Sequence, residues 1–175
     1  MAAQMLTEAG AGVLAGVYAE IRQRLGLAMV PNVFSAMAAV SADVLVQNWV
    51  VFKRTVLEGD LPRTLKEMIG LVVARESGCR YSLALFTEGL ARLRVPEQVV
   101  RHLAESGDSE ELPAAARSVL RFALAYSRDP ESTDAAPLEA AGLTEDEVQE
   151  VIDTVLVAAG INQFAAESGL PVDTF

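Results

Sequence analysis

The sequence predicts an all-α fold, and three observations carry this prediction. Apolar residues recur at three- and four-residue spacing over most of the chain, which is typical of one face of an amphipathic helix. Glycines, prolines and short polar clusters interrupt this pattern where helices end or begin. No stretch alternates apolar and polar residues as a half-buried strand would. We therefore expect a bundle of helices with short connections.

Each helix is bounded by a recognisable signal. A first helix from Thr7 to about Leu25 ends at a glycine, and prolines are expected in the first turns of several later helices. Thr144 and Glu147 form a capping box, which gives the firmest boundary. Residues 105–111 and 131–137 are predicted to be loops. The predicted helices cover approximately residues 7–25, 31–40, 41–57, 60–77, 79–93, 96–104, 113–128 and 144–167.

Composition narrows the possible partners. The chain has 175 residues, of which 51% are hydrophobic, so residues 1–175 are expected to form a single domain. A net charge of −10 disfavours nucleic acid and anionic lipid as partners. No apolar run approaches the roughly 18 residues that cross a bilayer. The first basic residue is Arg22, so the start lacks the charged region of a signal peptide, and a cytoplasmic location is expected.

The scarcity of cysteine and histidine limits the chemistry. The single cysteine cannot form an intramolecular disulfide, in agreement with a reducing compartment. The single histidine, His102, excludes a histidine-rich metal site, and its polar neighbours predict a solvent-facing position. Nothing in the sequence indicates a metal ion or an organic cofactor.

The cysteine occupies a distinctive position. Leu65, Met68, Ile69 and Val72 mark an amphipathic helix that ends at Ser77-Gly78, and Cys79 follows directly. A second helix continues from there without another breaker, so Cys79 is expected in its first turn. Unpaired backbone N–H groups and the positive end of the helix dipole stabilise a thiolate at that position. Two nearby arginines, Arg75 and Arg80, are expected to assist.

The stretch from Glu67 to Phe86 resembles the core motif of the alkylhydroperoxidase D-like (AhpD-like) branch of the carboxymuconolactone decarboxylase family. That motif is a glutamate, eleven residues, then Cys-x-x-Cys-x-x-x-His. Glu67 and Cys79 fit it, whereas Ser82 replaces the second cysteine and Phe86 replaces the histidine. The resemblance extends over most of the chain, through the segments 30–34, 61–67 and 169–173. Asn162 matches a position where relatives often have Asn followed by Arg, although Gln163 follows here.

The resemblance implies an AhpD-like helical bundle whose Glu67 and Cys79 helices form a central antiparallel hairpin. Relatives associate as dimers, trimers or hexamers, so a homo-oligomer is expected, and the apolar stretch around Trp49 is expected in a core or a subunit interface. In related peroxidases one thiolate is oxidised, the second resolves it, and a histidine linked to the glutamate moves the proton. Here an external thiol or a partner subunit would have to resolve an oxidised Cys79.

The other candidate residues each have two interpretations. Glu67 either pairs with Arg63 four residues back or lies on a solvated helix face, or it is a partly buried carboxyl that acts as general acid or base. Helix geometry places it opposite Phe86, which cannot relay a proton and is expected to pack in the core or line a pocket. Tyr81 and Ser82 either offer hydroxyl groups to a ligand or satisfy backbone groups.

Three functions follow from these residues. The first is an antioxidant, thiol-dependent peroxidase with Cys79 as its redox cysteine, Glu67 handling protons, and weak activity or dependence on an external thiol. The second is decarboxylase-like or isomerase-like chemistry on a small organic acid. The third is a non-catalytic oligomeric binding protein. Cys79→Ser should abolish only the first activity, Glu67→Gln should damage the first two, and binding could survive both.

Overall fold

The computed structural model describes the backbone of residues 2–175 and the side chains of residues 12–175. Over this range the chain is all-α, with no strand, as predicted. A π-helical turn, Lys53–Leu57, continues directly from α3. The helices are α1 Ala2–Leu25, α2 Asn32–Val40, α3 Ala42–Phe52, α4 Arg63–Glu76, α5 Arg80–Arg92, α6 Glu97–Ser106, α7 Ala114–Arg128, α8 Ala136–Ala140 and α9 Glu145–Glu167.

The predicted boundary signals act as expected. Gly26 and Gly78 end α1 and α4 with φ of 69° and 65°, a left-handed conformation that glycine adopts without strain. The Ser41 hydroxyl caps α3 by accepting a hydrogen bond from the Val44 amide at 3.1 Å. At the start of α9 both bonds of the Thr144 capping box are present.

Four local features differ from the sequence prediction. Helix α1 begins at Ala2, whereas the predicted start was Thr7. Residues 131–137, expected as a loop, include the start of α8, a five-residue helix too short to show a periodic pattern. The end of the predicted helix over 41–57 is the π-helical turn. Pro31, Pro62 and Pro96 occupy the cap position just before a helix rather than its first turn.

Helix α4 lies at the centre of the molecule and packs against α5, α7 and α9. Together with α5 it forms the predicted antiparallel hairpin, which separates two apolar clusters. One cluster surrounds α4 and α7. The other contains Phe34, Trp49 and Phe52, with ring centroids 5.4 to 6.0 Å apart. Trp49 is 1% exposed, so it belongs to the core of this chain.

A buried ion pair fixes the loop before α4. Lys66 is 1% exposed, and its ammonium group donates to the Glu150 carboxylate on α9 and to the Glu58 carbonyl. The same carboxylate accepts from the backbone amides of Asp60 and Leu61 at 3.0 and 3.2 Å. This pair therefore ties the 58–61 loop and α9 to α4, and it sets the position of the hairpin.

Among the described residues, no helix combines the length and the hydropathy that a bilayer crossing requires. The expectations of a single domain over residues 1–175 and of a homo-oligomer stay predictions.

Candidate active site

The Cys79 thiol lies where the chain turns from α4 into α5. The Cys79 amide donates to the Ala74 carbonyl at 3.0 Å, and the Gly78 amide donates to the Arg75 carbonyl at 3.1 Å, which closes the end of α4. Cys79 is then the N-cap residue of α5. Its side chain makes no capping bond, so the sulfur remains available beside the positive end of the helix dipole. The predicted position is off by a single residue.

Two oxygen atoms lie within reach of the sulfur. The Ser82 hydroxyl oxygen is 3.4 Å from Cys79 Sγ, and the backbone carbonyl oxygen of Asn162 is 3.8 Å away. The thiol can donate its single proton to either oxygen. Because a hydroxyl is both donor and acceptor, Ser82 can reverse the bond and donate to a thiolate. Ser82 is fully buried, so its hydroxyl is held beside the sulfur.

Among the described residues, neither of the nearby arginines forms a hydrogen bond to the sulfur. Arg75 Nε donates to the Glu105 carbonyl at 3.0 Å, and its Nη1 lies 3.7 Å from the Glu76 carboxylate. Arg80 is exposed at the surface. Support for a thiolate therefore comes from Ser82 and the α5 N-terminus.

The sulfur lines a cavity of about 410 Å³ between the α4–α5 turn, α7 and α9. Apolar side chains, among them Val73, Ala159 and Ala166, form much of its wall. Glu76 is the charged residue among those described in the lining. Arg128 donates two hydrogen bonds to its carboxylate, at 2.6 and 2.7 Å, and so holds the pKa of Glu76 below its usual range. The cavity thus contains no uncompensated charge and suits a neutral ligand.

Asn162 on α9 lies next to the sulfur and lines the same cavity. Its side chain is 4% exposed and lines the cavity, while its backbone carbonyl faces Cys79 Sγ. The side-chain amide nitrogen donates to the Ser77 hydroxyl at 2.9 Å. The sequence identified Asn162 only as a match to a position of the resembling family, because its contact with Cys79, 83 residues away along the chain, depends on how α9 packs.

Glu67 lies at the other end of the hairpin. The residue is 3% exposed, and Arg63 Nε and Nη2 donate to Oε1 at 3.0 and 2.9 Å. Burial raises the pKa of Glu67 above its usual range, and the Arg63 guanidinium opposes this shift. The predicted ion pair and the predicted buried carboxyl are therefore both present in one residue.

Two glycines make room for the Glu67 carboxylate and for the Phe86 ring. A Cβ at Gly89 would lie 2.0 Å from Glu67 Oε2, and one at Gly70 would lie 2.3 Å from the ring of Phe86. Glu67 and Phe86 line the same cavity, in agreement with the prediction that they lie opposite each other on the two helices. The volume of this cavity is only about 20 Å³. That space holds about one water molecule. The structure does not bring Glu67 or Phe86 into the Cys79 cavity.

Tyr81 has a structural role in this fold. Its hydroxyl donates to Asp173 Oδ2 at 2.7 Å and accepts from the Val33 amide at 2.9 Å. Burial, together with the hydrogen bond to Asp173, raises the pKa of Tyr81 above its usual range. Asp173 Oδ1 also accepts from the Asn32 amide. Of the two hydroxyls proposed to flank the ligand, Tyr81 is committed to anchoring the C-terminal segment and Ser82 contacts the sulfur.

Among the described residues, no three histidine, cysteine or acidic side chains come together as metal ligands would. His102 lies on α6, away from Cys79, with Nδ1 3.5 Å from the Ser109 hydroxyl.

Neither a protein-family model nor a curated protein matches this chain. Solved structures do match. An uncharacterised peroxidase-related protein from Silicibacter sp. TM1040 gives a TM-score of 0.83 at 22% identity, covering 92% of this chain and 85% of the other. An AhpD core, from a peroxidase-related protein of Ralstonia eutropha JMP134, gives 0.80 at 21% identity over 89% and 83%.

A third structure has an assigned activity. The debrominase Bmp8 matches with a TM-score of 0.77 at 23% identity, covering 92% of this chain and 86% of its own. A cysteine-to-alanine variant of Bmp8 has been crystallised with 2,3,4-tribromopyrrole and matches with a TM-score of 0.78. At these identities the likeness establishes the fold, which is the AhpD-like bundle.

Proposed function

We propose that this protein is a thiol-dependent peroxidase in which Cys79 reduces a small, neutral hydroperoxide. One observation carries the proposal. The Cys79 sulfur is the N-cap side chain of α5, contacts the buried Ser82 hydroxyl and lines a cavity of about 410 Å³. A donor hydroxyl and a helix N-terminus both favour the thiolate, which is the nucleophilic form of cysteine.

The reaction proceeds in balanced steps. The thiolate attacks the terminal oxygen of the hydroperoxide, so an S–O bond forms and the O–O bond breaks. Sulfur is oxidised to the sulfenic acid, and the leaving alkoxide takes up a proton from solvent to become an alcohol. An external thiol then displaces water to give a mixed disulfide, and a second one restores Cys79 and leaves the external pair oxidised. Ser82 supplies no second thiol, so the external thiol is required.

Charge distribution favours a neutral substrate over an organic acid. Among the described residues that line the cavity, none is a cation that could bind a carboxylate, and Glu76 adds a negative charge that Arg128 neutralises. Decarboxylase-like chemistry would also need a free acid or base beside the substrate, and the Glu76 carboxylate is bonded to Arg128. Glu67 lines a different cavity and is bonded to Arg63, so we assign it no proton-transfer role toward Cys79.

The proposal is tested by trapping the oxidised cysteine. The reduced protein is mixed with stoichiometric cumene hydroperoxide and dimedone, and the adduct is followed by intact mass. We expect adduct formation at Cys79 at least tenfold faster than for free glutathione, none in Cys79→Ser, and peroxide consumption that requires added monothiol. Oxidation of Cys79 no faster than that of glutathione would show that the proposed activity is wrong.

A second candidate function is thiol-dependent removal of halogen from a small aromatic ring. It is favoured by the neutral, partly apolar cavity beside a single cysteine and by the fold likeness to a debrominase. One aryl bromide and two thiols would give the arene, a disulfide and hydrogen bromide. Bromide release from 2,3,4-tribromopyrrole in the presence of monothiol, lost in Cys79→Ser, would identify this activity in place of peroxide reduction.

A further inference from the structure

The Ser77 hydroxyl shows which end of the Asn162 side-chain amide faces it. The Ser77 hydroxyl donates its proton to the Ala74 carbonyl at 3.1 Å, so toward Asn162 it acts as an acceptor. The group that faces it at 2.9 Å must therefore be the amide nitrogen, Nδ2. This assignment leaves Oδ1 as the other atom of the amide.

Asn162 Oδ1 is a buried acceptor without a protein donor. Among the described residues, Oδ1 is the one buried side-chain nitrogen or oxygen atom that forms no hydrogen bond. A carbonyl oxygen that loses water on burial and gains no donor costs free energy, so such an atom calls for an explanation. Other buried polar groups near the hairpin, including the side chains of Lys66 and Ser82, have partners.

The location of this acceptor is informative. Asn162 lines the same cavity as Cys79, and its own backbone carbonyl lies 3.8 Å from the sulfur. A ligand in this cavity can therefore contact both Cys79 and Asn162. The terminal torsion of asparagine is broad, so the amide can adjust to a donor in the cavity.

We propose that Asn162 Oδ1 accepts a hydrogen bond from the O–H group of the bound hydroperoxide. The inference rests on the function proposed above and identifies the residue that positions its substrate. The bond places the terminal oxygen, which carries the hydrogen, toward Cys79 Sγ and leaves the alkyl group against the apolar wall. After oxygen transfer the same O–H belongs to the Cys79 sulfenic acid and still points at Oδ1. The substrate class is an alkyl hydroperoxide with a compact, uncharged substituent.

The test compares two reagents for the same sulfur. Cumene hydroperoxide carries a donor O–H, whereas N-ethylmaleimide has no hydrogen-bond donor. Asn162→Leu removes the acceptor at similar side-chain volume, and Gln149→Leu removes an exposed amide from the same helix as a matched control. Second-order rate constants at Cys79 are measured by intact mass for both reagents in each protein.

We expect Asn162→Leu to slow oxidation by the hydroperoxide about tenfold, which is the loss of one hydrogen bond, and to leave maleimide addition within about twofold. Gln149→Leu should change neither rate. Asn162→Asp keeps an acceptor oxygen, so its ratio of the two rates should stay near that of the natural protein even if its charge slows both. Asn162→Ala, which removes the same acceptor, should show the same selective slowing and keeps the test decisive if Asn162→Leu folds poorly.

Two results overturn the inference. Fast oxidation of Cys79 in the natural protein with an unchanged rate ratio in Asn162→Leu removes the role of Asn162 and leaves the proposed function standing. Oxidation no faster than that of free thiol in the natural protein removes both.

Discussion

At one end of the α4–α5 hairpin the Cys79 sulfur lines a cavity of about 410 Å³, whereas at the other end Glu67 and Phe86 line one of about 20 Å³. The first end also contains a buried acceptor, Asn162 Oδ1, that has no hydrogen-bond donor among the described residues. At the second, Arg63 pairs with the carboxylate and a phenyl ring fills the space against Gly70. The glutamate and the cysteine that fit the motif spacing thus line separate cavities at opposite ends of the hairpin.

The Glu67 end of the hairpin, where the cavity is small, should lose more stability than the Cys79 end when side-chain volume is added. Gly70→Ala places a methyl group 2.3 Å from the Phe86 ring, so we expect a loss of about 3 kcal/mol and a fall in Tm of about 6 to 12 °C. The control is Gly160→Ala in α9, where a Cβ meets no atom within 4 Å and stability should be unchanged or slightly higher. Phe86→Leu added to Gly70→Ala should restore much of the Tm. Equal Tm values for the two alanine variants would contradict the tight packing described.

Closure of the Glu67 end also depends on the C-terminal segment, because Phe175 lines the small cavity. Tyr81→Phe removes the hydroxyl that bridges the Val33 amide and Asp173, and it leaves a buried donor unpaired. We expect a loss of about 2 kcal/mol and faster hydrogen exchange over residues 170–175. Tyr126→Phe, at a hydroxyl without a hydrogen bond among the described residues, is the matched control. Unchanged exchange in Tyr81→Phe would show that the segment is held by other contacts.

At the Cys79 end, a substitution should change the reactivity of the thiol more than the stability of the protein. Ser82→Ala removes the hydroxyl 3.4 Å from Cys79 Sγ, so the thiolate loses a donor. We expect oxidation of Cys79 by cumene hydroperoxide and its alkylation by N-ethylmaleimide both to slow about fivefold, equivalent to about 1 kcal/mol. This common slowing differs from the selective effect expected for Asn162→Leu. Unchanged rates for both reagents would exclude Ser82 as a thiolate donor.

The two carboxylates at the ends of α4 should give opposite and smaller pH effects. Burial raises the pKa of Glu67 in the folded protein, so its contribution to stability is present below the unfolded-state pKa and is lost as pH rises through the folded-state pKa. Glu67→Gln should therefore gain stability relative to the natural protein as pH rises through the folded-state pKa of Glu67. Arg63 is 26% exposed by side chain and can be hydrated in that variant.

Glu76 provides the matched comparison. Its hydrogen bonds to Arg128 lower its pKa, so its contribution to stability is present above the unfolded-state pKa and is lost as pH falls through the folded-state pKa. Glu76→Gln should be less stable than the natural protein at neutral pH, and the difference should close in acid. Urea unfolding between pH 3 and 8 measures both differences, and parallel trends in the two variants would contradict the assigned environments.

Local signals in the sequence were sufficient to predict most of the fold. Gly78, the Ser41 cap and the Thr144 capping box act through neighbouring residues, so their effects can be inferred without knowing the tertiary structure. Lys66 is different, because a lysine is expected at the surface and its burial depends on Glu150, which is 84 residues away.

The same distinction between local signals and long-range contacts applies to the candidate site. The sequence indicated Cys79, its helix N-terminus and the adjacent Ser82, all of which lie within one turn. It did not indicate that Asn162 would reach the cysteine, because that contact depends on how α9 packs. It also could not show that the Glu67 carboxylate and the Cys79 sulfur line separate cavities, since the motif spacing is the same in either case.

The separation of the two ends is tested most directly by the rate of Cys79 oxidation in Glu67→Gln. The second-order rate constant with cumene hydroperoxide is measured by intact mass for this variant and the natural protein at equal pH, with circular dichroism to verify the fold. Because Glu67 lies outside the Cys79 cavity, the two rate constants should agree within about twofold. A tenfold or larger decrease in a folded Glu67→Gln protein would show that the carboxylate still acts on the thiol, and would contradict the division of the hairpin into a reactive end and a packing end.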